Sequence, residues 1–392
     1  MYMAALTQFY WLNFAAITTY VEETLNISAM QVGWLANVAP LTIILLSIPA
    51  GMVIDKKGFK YGVGIGTIFV SISAALRIIN PYSFIFLLIC QIGMSIGTPF
   101  VLNGVTKLAT TWFPKKEEAT AVGLGSLSLF VGMAVALGAT PFLVESIGYT
   151  TTLLIYGVMG IIGGLTFLTL VRSKPPTPAR ELEEAREEVS FWEGVKRILK
   201  IRDFLLLGFI AFIGIGAFNS IATWIEKILN EAHNISMTNA GTISALLIFS
   251  GIVGCIVIPI ISDKIMKRKP FVMIASLVGI ISLTVLIFAD SYIANASNAV
   301  IMGFFVLSSL PIILTMSTEL TGEKYAGISV AYIMLLGNAA TTAIVPIMEF
   351  LHGRTGNYVL SLSFLVALFG IGFIMCILIR ETFKTTGIKN TT

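Results

Sequence analysis

Apolar residues run along this chain in stretches of about 20, the length a helix needs to cross a bilayer, and short polar intervals separate them. The runs are continuous, whereas a membrane barrel would alternate apolar and polar residues with a period of two. The pattern predicts an all-α membrane protein with twelve transmembrane helices. They are expected over 2–21, 34–54, 61–79, 83–106, 119–143, 148–171, 203–225, 240–262, 270–289, 295–318, 326–348 and 358–379. A long polar interval, 172–202, divides them six and six.

The polar punctuation repeats. Glu23, Asn26-Ile27-Ser28 and Gly33 return 208 residues later as Glu231, Asn234-Ile235-Ser236 and Gly241. Asp55-Lys56 returns as Asp263-Lys264, and Phe142-Leu143 with Gly148 as Phe350-Leu351 with Gly356. The constant offset means that two halves carry the same elements at the same lengths. Six spans per half leave both halves in the same orientation, pseudo-symmetric about an axis along the membrane normal. Such halves are expected to hold a substrate site between them near the midplane. The expected organisation is a six-helix half over 1–171, a linker over 172–202, a second six-helix half over 203–380 and a tail over 381–392.

Composition agrees: 56% of residues are hydrophobic and 12% charged, against about 25% charged in soluble domains. Charge placement then orients the chain. With both termini cytoplasmic, only Arg77, Lys227 and Arg354 among the 25 lysines and arginines fall outside. This is the positive-inside pattern, and it places the protein in the cell membrane, plasma or inner, as a multi-pass chain. The net charge of +4 sits at the inner face, so the partners expected are the bilayer and a small-molecule substrate, with no nucleic acid. A monomer is expected. Met1 leads into the first span without a basic start or a small-residue cleavage site, so no cleavable signal is read there.

Cys90, Cys255 and Cys376 fall inside spans and read as small packing residues. His233 and His352 fall in outer loops. No metal or cofactor is expected, and an enzyme is not expected, because no nucleophile–base or metal constellation lies at membrane depth. Asn26, Asn234 and Asn295 head N-x-S sequons of the kind chance produces. In the linker, Pro175, Pro176 and Pro178 stop the sixth helix, 181–188 reads as a solvated acidic helix, and 191–200 as a basic amphipathic helix on the inner membrane face.

Polar stripes on apolar helices mark the walls of a cavity. Trp11 lies near mid-span, although tryptophan ordinarily belongs at the interface. Its repeat mate is Asn219, and Phe130 is the repeat mate of Asn338. Gln8 and Glu22 continue the Trp11 stripe, Thr223 and Glu226 that of Asn219, and Thr342 that of Asn338. Trp11, Asn219, Asn338, Phe130, Gln8, Thr223 and Thr342 are thus the candidate substrate-binding residues. Glu22 and Glu226 are the candidates for proton coupling. No Asp, Lys or Arg falls deep in a span, and Arg77 falls at the outer end of the third. A facilitated carrier of a neutral or cationic solute follows, since ionisable groups at depth are the usual mark of ion coupling.

Between spans two and three runs Gly51-Met-Val-Ile-Asp55-Lys56-Lys57-Gly58-Phe59-Lys60. Gly51 suits close helix approach, Asp55 can face a helix N-terminus, Gly58 suits a tight turn, and Lys56 and Lys60 hold the loop at the surface. This stretch resembles the G-x-x-x-D-R/K-x-G-x-R/K signature of the major facilitator superfamily. The resemblance implies two six-helix halves, alternating access, and a motif that joins the inner ends of the halves in the outward-open state. The second copy keeps Asp263 but has Pro259 for Gly51 and Met266 for Gly58.

Within that superfamily the chain is similar to the branch of the feline leukaemia virus subgroup C receptor and its choline-transporting relatives. Phe9-Tyr10-Trp11-Leu12-Asn13-Phe14, Gly216-Ala217-Phe218-Asn219, Glu319-Leu320-Thr321 and Gly327-Ile328-Ser329 carry the likeness. It implies a quaternary amine held against Trp11. Asn219 stands where the branch has tyrosine, and Phe130 and Asn338 where it has glutamines. The resulting expectation is a secondary transporter for a small neutral or cationic organic solute, amine-like, working by alternating access. A proton-coupled symporter or antiporter, and a non-transporting receptor of the same fold, are the alternatives.

Overall fold

The computed structural model describes residues 1–173 and 191–383, leaving out the side chains at 115, 116, 118 and 119. The acidic helix expected at 181–188 and the tail beyond 383 lie outside the described residues. All regular structure among the described residues is helical. The first half comprises α1 (Tyr2–Leu12), α2 (Thr18–Leu25), α3 (Ala29–Lys57), α4 (Phe59–Leu76), α5 (Phe84–Trp112), α6 (Lys115–Ile147) and α7 (Tyr149–Leu170). A short helix, α8 (Phe191–Ile198), precedes the second half. That half comprises α9 (Arg202–His233), α10 (Met237–Ile265), α11 (Lys269–Phe288), α12 (Tyr292–Met302), α13 (Ser309–Thr321), α14 (Ala326–Thr355) and α15 (Val359–Leu378).

Among the described residues, eleven helices are long and apolar enough to cross a membrane. The twelfth expected span is broken in two. The α-helix α1 ends at Leu12, a single 3-10 turn occupies Ala15–Ile17, and α2 restarts at Thr18. Its repeat mate, α9, runs unbroken over 32 residues. Span ten is continuous but carries a π-helical turn, Gly303–Leu307, between α12 and α13. The side that carries Met1 and Phe383 is the terminal face and the opposite side the distal face.

The repeated Asn-Ile-Ser has a local structural cause. Asn26 and Asn234 sit in the left-handed region, at φ 53° and 52°, and end α2 and α9; asparagine is among the few non-glycine residues that visit it routinely. The serine then starts the next helix. Ser28 does so with a reciprocal capping box to Gln31, whereas the Ser236 side chain makes no capping bond. Gly58 likewise takes φ 88° between α3 and α4, while Met266, its repeat mate, is held at φ 55°.

Where helices meet closely, glycine makes the contact possible. A Cβ on Gly132 of α6 would lie 2.0 Å from the Ala5 carbonyl oxygen of α1. The α8 helix buries Gly194, Val195 and Ile198, with Gly194 against Ile328 at the start of α14. Its Lys196 and Arg197 are exposed, and so is Trp192. The basic amphipathic helix expected at 191–200 is therefore present over 191–198 and is seated on the second half.

Candidate functional site

Between the two halves lies a cavity of about 940 Å³, part of it continuous with solvent. Five of the seven candidate binding residues line it: Gln8 and Trp11 from α1, Phe130 from α6, Asn219 from α9 and Asn338 from α14. Both repeat-related pairs, Trp11 with Asn219 and Phe130 with Asn338, thus face one space. Thr223 and Thr342 do not line it. Their hydroxyls donate to the Asn219 and Asn338 carbonyl oxygens one turn back along their own helices.

The two asparagines are oriented by their partners. Asn338 Nδ2 donates to the Met334 carbonyl at 2.9 Å; a carbonyl only accepts, so the amide nitrogen must be on that side. Asn219 Nδ2 donates to Thr341 Oγ1 at 3.0 Å, and that hydroxyl spends its own proton on the Gly337 carbonyl. Each asparagine therefore has a side-chain oxygen with no partner among the described residues, and the Gln8 amide and the Trp11 indole N–H have none either. The rest of the lining is apolar or aromatic, apart from Ser309, and contains no ionisable residue. Such a space offers acceptor oxygens and aromatic faces, which suit a small cation or hydrogen-bond donor.

Sequence reasoning missed the part of the lining that comes from the π-turn and α13: Val306, Leu307, Ser309, Leu310 and Ile313. Apolar residues that face a cavity look like those that face lipid, so only Ser309 carried a signal. Pro40, which also lines the cavity, sits within α3.

Distal to the cavity the halves are joined. Lys227 of α9 meets Glu22 of α2 at 2.9 Å and lies within 3.4 Å of Glu231 and 3.9 Å of Glu349. The Glu226 carboxylate, fully buried, accepts from the Thr19 backbone N–H at 3.2 Å and from the Thr19 hydroxyl. It thereby caps the N-terminal turn of α2, where the helix dipole is positive; the break in the first span creates that terminus. Asn37 Nδ2 of α3 donates to the Thr342 carbonyl of α14 at 3.1 Å. The Trp224 ring packs against Gly33 of α3, and Gly241 of α10 against Pro141 of α6. Toward the terminal face the same helices are less covered. In α3, Leu35 to Pro40 are buried, while Ile43 to Pro49 are half-exposed or exposed. These contacts bound the cavity on the distal side, whereas the α3 residues toward the terminal face are more exposed.

Two expectations need correction. Arg77 ends α4 as expected, but its side chain is fully buried rather than interfacial. Lys227, expected outside, is also buried. In the signature stretch, Asp55 pairs with Lys107 of α5 at 2.8 Å, within the first half. A methyl at Gly51 would sit 3.6 Å from Asn103, an ordinary contact. Lys56 is exposed and Lys60 half-exposed. Asp263 meets Arg268 at 2.6 Å, and Arg268 also reaches Glu319 at 3.2 Å, all within the second half.

Comparison with known proteins shows the family. The family model of the Major Facilitator Superfamily matches residues 1–346. An uncharacterised MFS-type transporter of Caenorhabditis elegans is 27% identical over 397 residues, 95% of this chain and 67% of that one. The human choline/ethanolamine transporter FLVCR2 is 24% identical, with 82% of this chain and 64% of that protein covered. The choline/ethanolamine transporter FLVCR1 of Mus musculus is 25% identical, with 97% and 74% covered. This chain thus spans about two thirds to three quarters of these relatives' lengths. A solved bacterial homologue of the human lysosomal transporter Spinster, inward-facing and occupied, superposes with a TM-score of 0.70 at 19% identity, over 96% of this chain and 95% of that one.

Proposed function

Since the chain belongs to the major facilitator superfamily, we propose that it is a facilitative carrier of a small amine-bearing organic solute, working by alternating access. The single observation that supports this reading most is the lining of the central cavity. Two repeat-related pairs, Trp11 with Asn219 and Phe130 with Asn338, meet there with no charge among them. The indole supplies a π-face for an ammonium group, and the free asparagine oxygens supply acceptors. The likeness to choline/ethanolamine transporters supports the same chemical class.

In this reading the solute enters from the terminal face, which is the cytoplasmic side of the cell membrane by the charge pattern. The distal contacts then part as the terminal ends close. Glu22 and Glu226 act as latch residues rather than as proton carriers, because both carboxylates are already engaged across the seam. Transport accordingly runs down the solute's own gradient.

The test is uptake of radiolabelled ethanolamine and choline into liposomes that hold the purified protein. Trp11→Ala is expected to weaken binding by about 30-fold, the equivalent of about 2 kcal/mol for a desolvated cation–π contact. Asn338→Ala should weaken it less, with both variants still folded. Full affinity in both variants, or no uptake of any amine, would sink the reading.

A further inference from the structure

We propose that Arg77 is the positioning residue of the broken first span, holding the joint between the cavity and the distal latch. The proposal rests on the alternating-access reading above. It starts from a side chain that this reading leaves unused.

Arg77 is fully buried, and no carboxylate lies within ion-pair distance of it among the described residues. A guanidinium in such a place needs compensation. Neutral groups provide it. Nη2 donates to Gln91 Oε1 at 2.6 Å and to the Met94 sulfur at 2.9 Å. The Tyr10 and Phe14 rings stand 5.3 and 5.1 Å from Cζ. Nη1 reaches the Asn13 side chain at 3.2 Å. That amide must turn its oxygen to the guanidinium, since its nitrogen there would set donor against donor.

The other end of each amide meets at one atom. Gln91 Nε2 donates to the Tyr10 carbonyl at 2.9 Å, and Asn13 Nδ2 donates to the same oxygen at 2.7 Å. This carbonyl is where α1 comes apart. The last bond of its ladder runs from Asn13 N–H to the Phe9 carbonyl. In a continuous helix the Tyr10 carbonyl would next receive the Phe14 N–H. Instead, two side-chain amides occupy it, and a guanidinium orients both. Hydrogen-bonded chains of this kind polarise one another. The cluster therefore stabilises the broken form of the span over the straight one.

The consequence reaches both ends of the joint. Trp11, next to Tyr10, faces the cavity. Thr19 and Glu22, beyond the break, grip Glu226 and Lys227 of the other half. Without Arg77 the amides lose their orientation, the Tyr10 carbonyl can take back the Phe14 N–H, and α2 swings off its latch.

The experiment places spin labels on the exposed distal residues Ser146 and Tyr292, one on each half, with the three native cysteines replaced. Distances are read in purified protein without any solute. The parent should show one short distance. Arg77→Met should add a longer distance in a large share of molecules, and Arg77→Lys, a single donor group without the fork, a smaller share. Gln91→Ala should reproduce the effect. The Arg77→Met, Gln91→Ala double variant should shift no further than either alone, as expected for residues acting on one carbonyl. A merely structural role would lower the melting temperature of Arg77→Met and leave the distances unchanged. Unchanged distances in the variants, or additive shifts, overturn the proposal. If Arg77→Met fails to fold, Gln91→Ala decides it alone: a shift supports the proposal and none refutes it. Because no solute enters the measurement, this result is separate from the failure of liposomes to take up amines, which would refute the carrier reading.

Discussion

Gly33 shows how one missing Cβ sets the state of the molecule. Any larger residue there would press on Trp224, whose ring atoms come within 2.7 Å of the Cβ position. Overpacking of this kind costs about 1–3 kcal/mol. In the proposed alternating-access cycle the contact exists only while the distal side is closed, so Gly33→Val should favour distal opening rather than unfold the protein. The measurement is reaction of a single cysteine at Ala36, buried in the same helix, with an impermeant reagent applied from the distal side. A reaction rate no faster than in the parent would contradict this. Gln8, Trp11, Phe130, Asn219 and Asn338 were legible in the sequence for a simple reason. Polar or out-of-place aromatic residues in an apolar run stand out, and the 208-residue offset pairs Trp11 with Asn219 and Phe130 with Asn338. Arg77 and Lys227 were not legible as buried groups. Near a span end a long cation ordinarily reaches the surface, and only the surrounding helices show that these two do not.

At the scale of elements, the break at residues 13–17 carried no proline and no glycine, the residues by which helix interruptions are ordinarily recognised. In the proposal for Arg77 its causes are an asparagine that competes for backbone groups and the Gln91 amide donated from α5. The second of these is invisible along one span. The Asn-Ile-Ser punctuation was visible, and its two copies make an internal control. Ser28 closes a capping box and Ser236 makes no capping bond. Ser28→Ala should therefore lower stability by about 1 kcal/mol, and Ser236→Ala by clearly less. Thermal melting of the two variants in the same detergent checks this, and equal losses would show that the hydroxyl of Ser28 is not the cause. The π-turn at Gly303–Leu307 was missed as well. It adds cavity-lining residues from an apolar run that reads as an ordinary span.

Across the whole molecule, the twelve spans, the division six and six, and the shared axis were legible, because lipid imposes helix length and the repeat imposes symmetry. Which face is closed was not. That depends on pair contacts such as Lys227 with Glu22 and Asn37 with the Thr342 carbonyl, and each joins residues more than 200 positions apart. The closed distal face makes a directional prediction. A cysteine at Met334, which lines the cavity, should react with an impermeant thiol reagent from the terminal face. It should be shielded from the distal side, and a bound amine should slow the reaction. Equal reactivity from both sides would indicate a pore instead of a gated cavity.

The two copies of the fold are not equal partners. The first half meets the seam with a jointed rod, α1 and α2, and the second with a stiff one, α9. A machine with a knee on one leg does not walk symmetrically. In the proposed cycle, release toward the distal side has to straighten that knee and strip Glu226 of its donors, whereas the return stroke restores them. The outward and homeward steps should therefore have different rate constants even when solute is equal on both sides, with the populations of the two states compensating.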